Sequence, residues 1–272
     1  MRELDVLHLG TPHVVCCHEP EPGTLVDPGP GSAIDGLYAG LGDVEPRRIL
    51  LTHIHLDHAG ATGLLVRRFP DVEVWVHRVG APHVVDPSKL IASATRIYGD
   101  DMDRLWGEIG PVPEANLRVL DGGEVLDGFR VEYTPGHATH HVSYLHEATG
   151  TAYAGDVAGI RIGGELLIAP TPPPDIDIGA WHDSLGVLQS WAPQRLALTH
   201  FGSFGDPEEH LARLHDELDA EVERAKTLDG DGYAAWMRER YAATALPASY
   251  EQAGPPATLH PGLARYLKKF GT

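Results

Sequence analysis

Short apolar runs broken by turn residues fill the first half of the chain, and a helical period takes over toward its end. Val6-Leu7-His8-Leu9, Val14-Val15-Cys16-Cys17 and Thr24-Leu25-Val26-Asp27 read as strands. The turn at Asp27-Pro28-Gly29-Pro30-Gly31 then leads into a helix capped by Ser32, with Ile34, Leu37 and Leu41 on one face. Ile49-Leu50-Leu51-Thr52 reads as the end of a buried strand, and Ala59 to Leu65 as a helix opening. Residues 80–113 predict a helical insertion. Ser88 caps a helix from Lys89 to Tyr98 that stops at Gly99, and a second one around Met102, Leu105 and Trp106 ends at Gly110-Pro111. A hairpin signal follows at residues 161–167, then the stiff run Pro170-Thr171-Pro172-Pro173-Pro174, which reads as an extended rod serving either as cleft wall or as connector. Asp177 starts a helix through Trp181, Leu185 and Leu188.

The last part differs in kind. Asp206-Pro207-Glu208-Glu209 is a helix start with cap, first-turn proline and acids, and Leu211, Leu214, Leu218 and Val222 continue one stripe. Further helices are expected near residues 233–243 and 263–270. This helical extension, residues 206–272, packs on the same domain and builds either substrate pocket or a homodimer surface.

Against that frame, one polar cluster has no packing explanation. His53-Ile54-His55-Leu56-Asp57-His58 puts four potential ligands into six positions at a strand's carboxyl end, where α/β proteins place chemistry. Alternation aims His53 and His55 one way, while Asp57 and His58 reach a second point close by. Thr134-Pro135-Gly136-His137, Ala154-Gly155-Asp156 and Leu198-Thr199-His200 each end a further strand-like run. Five histidines and two aspartates suffice for two divalent ions if one carboxylate bridges, and Asp156 is the candidate bridge. A nitrogen and oxygen set suits Zn²⁺ and also admits iron or manganese. The run Arg48-Ile49-Leu50-Leu51-Thr52-His53 is echoed by Arg195-Leu196-Ala197-Leu198-Thr199-His200, as expected of two similar halves with the metals at their seam.

The ordered series HxHxDH, TPGH, GD and a final His resembles the metallo-β-lactamase-fold hydrolases, the superfamily that includes glyoxalase II-like thioesterases. The resemblance covers roughly residues 4–205. It implies an α/β fold, a four-layer αββα sandwich forming a catalytic domain over residues 1–205. It also implies one ion on His53, His55 and His137, the other on Asp57, His58 and His200, and Asp156 bridging. Asp27 resembles the strand-end acid that orients the metal loop, its other reading being a turn-forming Asp before Pro. His141 falls on the histidine that supports the ligands from behind, and His140 stands where many relatives carry Gly. The implied reaction is hydrolysis: a hydroxide bridging two cations attacks a thioester, ester, lactone or amide of a small molecule, with Asp57 positioning the nucleophile. Two alternatives stay open, a mononuclear iron dioxygenase of the persulfide dioxygenase type and a non-catalytic metal-binding module.

Composition narrows the partners. A net charge of −18 over 272 residues argues against nucleic acid, and a run of about eighteen apolar residues, as a membrane span needs, is absent. Glu208, Glu209, Glu217, Glu221 and Glu223 make the tail acid-rich, which demotes a glutathione thioester as substrate. Adjacent Cys16 and Cys17 cannot form an ordinary bridge, and no apolar signal segment opens the chain, so a cytoplasmic location is expected. The insertion lies between the metal loop and His137 and is expected to overhang the site as a lid. His83, Tyr98 and Trp106 are its candidate substrate contacts, with Tyr98 and Trp106 alternatively serving to pack the insertion. His8, His182, His215 and the other remaining histidines carry no assigned role.

Overall fold

The computed structural model describes every residue except Glu165 and Thr272. In the first half, β1 (Arg2–Asp5), β2 (Cys16–Glu19), β3 (Thr24–Val26), β4 (Arg48–Leu50), β5 (Glu73–His77) and β6 (Leu117–Leu120) form one six-stranded sheet in sequence order. Pairings from β3 to β6 are parallel, with helices α1 (Ile34–Leu41), α2 (Leu56–Ala59) and α3 (Thr62–Arg68) between strands. The insertion between β5 and β6 carries α4 (Ala81–Val85), α5 (Ser88–Tyr98) and α6 (Met102–Trp106). In the second half, β7 (Val125–Leu126), β8 (Phe129–Tyr133), β9 (Val142–His146), β10 (Thr151–Tyr153), β11 (Arg195–Leu198) and β12 (Gly202–Phe204) form the other sheet, again in sequence order. Helix α7 (Ile178–Ser190) connects β10 to β11. The chain then runs through α8 (Pro207–Thr227), α9 (Gly230–Ala242), α10 (Pro247–Ala253) and α11 (Pro256–Phe270).

The period-two alternation of each strand explains the layers. Val26, Leu50 and Trp75 point inward from the first sheet against Phe129, Val131, Tyr144, Tyr153 and Ala197 of the second. Their neighbours Leu25, Ile49 and Val74 point outward onto Leu37, Leu41 and Leu65. On the far side, Ala152, Leu196 and Leu198 meet Trp181, Leu185 and Leu188 of α7, and the stripe Leu211, Leu214, Leu218 of α8 packs into the same core. Strands covered on both faces read as continuous apolar runs, which is why Ile49-Leu50-Leu51 shows no alternation in sequence. The result is a four-layer αββα sandwich.

Several local expectations are corrected. The first strand is Arg2–Asp5, because Leu7 and Leu9 adopt left-handed backbone around a short 3₁₀ turn at His8–Gly10. The second is displaced to Cys16–Glu19, although both cysteines are buried and free, as expected. Ser32 does not cap α1: it sits inside a 3₁₀ turn, and its hydroxyl donates to the Leu105 carbonyl of the insertion. Ser88 is the first residue of α5, and the Asp86 carboxylate accepts its N–H instead. The second insertion helix stops at Gly107, whose positive φ ends it earlier than Gly110-Pro111. The hairpin expected over 161–167 reduces to a single bridge between Ile160 and Ile168, and its Glu165 lies outside the described residues. Asp206 precedes α8 without capping it, since its carboxylate is taken by Arg161 at 2.9 Å. The extension has one helix more than expected, α10, and α11 begins already at Pro256.

Candidate metal centre

Strand β4 ends three residues before His53, and the following loop and α2 deliver His55, Asp57 and His58. His137 follows β8, Asp156 follows β10 and His200 follows β11, so both sheets present ligands from strand ends at one edge of the sandwich. Two groups result. His53, His55, His137 and Asp156 offer donor atoms within 4.8 Å of one another, as do Asp57, His58 and His200. All seven residues singled out from the sequence are therefore brought together in these two groups.

Asp156 joins the groups. Its Oδ2 lies 3.4 Å from His137 Nε2, while its Oδ1 lies 3.2 Å from His58 Nε2 and 3.6 Å from His200 Nε2. Each carboxylate oxygen thus faces a different group, as a bridge requires. Asp57 Oδ2 approaches His200 Nε2 at 3.4 Å, and His137 Nε2 lies 3.0 Å from His55 Nδ1.

The outer nitrogens of four of the five rings are spoken for, and this fixes which of their atoms face inward. His58 Nδ1 donates to Asp27 Oδ2 (2.8 Å), His137 Nδ1 to the Pro170 carbonyl (2.8 Å) and His200 Nδ1 to the Val14 carbonyl (2.6 Å). The Thr52 hydroxyl gives its proton to Asp27 Oδ2 at 2.7 Å, so His53 Nδ1 must donate to the Thr52 oxygen at 3.1 Å. Each of these four imidazoles therefore turns its Nε2 to the centre, where the neutral ring offers a lone pair. Nε2 of His53, His58 and His200 and Oδ1 of Asp156 are buried and lack a hydrogen bond of normal geometry. Burying so many acceptors against one another is costly unless a cation takes their lone pairs, and the donor set fits divalent metal.

The electrostatics of the donor set express the same tension. Burial, then His58 and His55, hold His53 well below the ordinary histidine range, and burial followed by His137 lowers His55 to about 4. Burial opposes the charge on Asp57, yet His58 and His200 outweigh it and keep the carboxyl ionised. Burial likewise opposes ionisation of Asp156, where His58, His137 and His200 prevail. Both anions stay charged because cationic character surrounds them.

Asp27 is the hub behind the ligands. It accepts from the Thr52 N–H, the Thr52 and Thr199 hydroxyls and His58, all at 2.7–2.8 Å, and is fully buried. Its backbone is also left-handed, in the turn that precedes Pro28. His141 receives the Val157 N–H at Nε2, pairs with the Thr134 hydroxyl at Nδ1 and stacks 5.1 Å from His53. Gly155 is required beside it: φ is +46°, and a Cβ there would lie 2.4 Å from the Thr52 hydroxyl and 2.9 Å from His141 Nε2.

The centre opens on one side into a cavity of about 600 Å³, lined at its floor by His55, Asp57, His140 and Asp156. His83, Tyr98 and Trp106 all line it too, and Trp106 also packs edge-on against Tyr98 at 5.1 Å. The proline run supplies another wall, settling its role beyond that of a connector; its Pro173–Pro174 bond is cis. Missed in the sequence were His8 and Leu9, Lys89 and Arg104, and the segment from Glu251 to Leu259, which carry no motif and reach the cavity only through folding. Another His/Asp group, His182 on α7 with His215 and Asp219 on α8, lies outside the centre and is mostly exposed.

The C-terminal helices reach the centre through one loop. Glu221 of α8, fully buried, accepts the Ala169 N–H at 3.0 Å and the Tyr233 hydroxyl at 3.1 Å. Arg240 donates to the Leu167 carbonyl, and Thr171 donates to the Leu259 carbonyl. The loop so clamped carries Pro170, whose carbonyl orients His137.

Comparison with known proteins agrees with this geometry. The family profile described as the metallo-beta-lactamase superfamily matches residues 11–233. A metallo-beta-lactamase fold-containing protein, ST1585, of Sulfurisphaera tokodaii is 29% identical over 183 residues, 64% of this chain and 68% of its own. A hydroxyacylglutathione hydrolase of Thermosynechococcus vestitus is 30% identical over 149 residues, 53% of this chain and 48% of its own, so the match spans about half of that enzyme. Among solved structures, that of the archaeal ST1585 superposes with a TM-score of 0.70 at 21% identity, covering 97% of both chains. The structure of TTHA1623 in a di-iron-bound form gives 0.51 at 29% identity, covering 70% of this chain and 89% of that one. On the family profile and the shared fold, this chain belongs to the metallo-beta-lactamase superfamily.

Proposed function

We propose that the protein is a metal-dependent hydrolase that holds two divalent ions and cleaves a thioester, ester, lactone or amide of a small molecule. One observation carries this reading: two adjacent donor groups share Asp156 at the floor of an open cavity. When bound, the metal pair supplies Lewis acidity and lowers the proton affinity of a water. His53, His55 and His137 would hold one ion, Asp57, His58 and His200 the other, with Asp156 serving both.

The remaining work belongs to the chain. Asp57 is the most accessible of the anionic ligands, its side chain 23% exposed toward the cavity, and its free oxygen can orient a water and accept its proton. Asp27 and the carbonyls of Pro170 and Val14 keep the imidazoles in one tautomer, so no reorganisation is needed as charge develops. The insertion and the proline run enclose the substrate and limit bulk water.

Zinc is the favoured ion on donor chemistry, and iron is supported by the di-iron-bound relative. The complete group of Asp57, His58 and His200 favours two ions over a one-iron dioxygenase, and the cavity over the metals favours turnover over a passive binding module. The test is elemental analysis followed by assay of zinc- and iron-loaded protein on thioester, ester, lactone and amide substrates. Two ions per chain with hydrolysis of at least one class is the expected result. One ion per chain, or inertness across all four classes, refutes the reading.

A further inference from the structure

The cavity over the metals has more wall than a small polar substrate needs, and the wall has a definite chemistry. Helix α5 presents Leu90, Ala94 and Ile97 at i, i+4 and i+7 to the cavity, yet only Ala94 of the whole helix is buried. An amphipathic helix normally gains its stability by packing such a stripe on the protein. Here Leu90 is only half-buried and Ile97 is 44% exposed, leaving apolar surface to be covered by something else. The facing walls are equally apolar: Pro172 and Pro173 on one side, and Ala253, Pro255 and Leu259 of the α10–α11 junction on another. Ile54 and Leu56 continue the apolar lining down to the metal ligands.

Charge on these walls is sparse and mixed. Lys89 and Arg104 line the cavity, but so do Asp175 and Glu251, and Arg104 is already paired with Asp101 at 2.8 Å. No cluster of cations waits for a substrate bearing several carboxylates, which sets the site against a glutathione-like leaving group as the recognised part. Recognition instead falls to an apolar moiety next to the reacting carbonyl.

We infer that the cavity is an acyl pocket, and that the substrate is an ester or thioester of an apolar carboxylic acid with a medium-length chain. This rests on the hydrolase reading above. A volume of about 600 Å³ sits well within the range of about 300–1,000 Å³ typical of small-molecule sites, ample for such a chain together with its carbonyl. The chain lies along the α5 stripe with its carbonyl at Asp57 and Asp156, and the leaving group points to the mouth. In the reaction, water oxygen bonds to the acyl carbon and the carbon–sulfur or carbon–oxygen bond breaks. The leaving atom departs with the electron pair and takes one of the water's protons, and the second proton is released as the acid ionises to a carboxylate.

The test is the chain-length profile of kcat/KM for zinc-loaded protein on N-acetylcysteamine thioesters from acetyl to decanoyl. Each methylene placed against the α5 stripe should raise kcat/KM about fourfold until the pocket is full. In parallel, calorimetry compares decanoate with acetate on the same protein, and decanoate should bind more tightly with a negative heat-capacity change. Ile97→Asp, a partly exposed position whose change leaves the core intact, should lower the decanoyl rate and decanoate affinity by roughly tenfold, since it sets a charge against the chain. A flat or falling profile alongside real turnover overturns the acyl pocket and leaves the hydrolase reading standing. No turnover with retained, Ile97-dependent decanoate binding does the reverse. A profile that Ile97→Asp does not alter also overturns the pocket.

Discussion

Asp27 shows how much one side chain can carry. It accepts four hydrogen bonds from three residues on two separate stretches, and it does so from a left-handed backbone that few residues tolerate. Asn tolerates the same conformation but offers an amide in place of one carboxylate oxygen. Asp27→Asn should therefore fold normally and weaken metal affinity by roughly 10- to 100-fold, measured by competition with a chromophoric chelator. Unchanged affinity would remove Asp27 from its place behind His58 and Thr52. At this scale the ligands were legible in sequence, because four donors in six positions have no other use. The partners of their outer nitrogens were not, since the carbonyls of Val14 and Pro170 are backbone atoms and any residue could have supplied them.

Among elements, α8 was read correctly as a helix and incompletely as a face. Its leucine stripe packs as its period requires, but Glu221, counted among the residues that make the tail acid-rich, is fully buried against the loop that orients His137. Burial, reinforced by Glu217, pushes its carboxyl up to about 8 against an ordinary 4.5. The folded carboxyl holds its proton across that interval while the unfolded one releases it. Relative to Glu221→Gln, the wild type should thus lose stability as pH rises from about 4.5 to about 8. Denaturant midpoints of the two proteins at pH 5 and pH 8 check this. A difference that does not change with pH would mean Glu221 is not held protonated. Local capping signals fared worse for a related reason: Ser32 and Asp206 have the composition of caps, but Leu105 and Arg161 compete for their side chains from far along the chain.

Over the whole molecule, the candidate metal centre sits where two sheets from the two halves meet, so bound ions would join elements distant in sequence. Without a cation, Nε2 of His53, His58 and His200 would be buried without partners. Chelation should lower the thermal midpoint, and restoring free metal to a thousandfold above Kd should regain about 4 kcal/mol, or roughly 8 °C for a chain of this size. Differential scanning fluorimetry with and without chelator reads it, and a midpoint indifferent to metal would contradict a buried site filled by cations. Among the described residues no helix is long and apolar enough to cross a membrane. The sequence by itself determined the strand-end ligand series, the continuous apolar runs of doubly covered strands and the helical character of the insertion and tail, because each is written in local spacing. Only the tertiary structure decided which carboxylate oxygen faces which histidines, what supports them from behind, and that an insertion helix, a proline run and a distant helix junction enclose one apolar cavity. Those depend on side chains meeting across many residues of sequence, where no local period records the encounter.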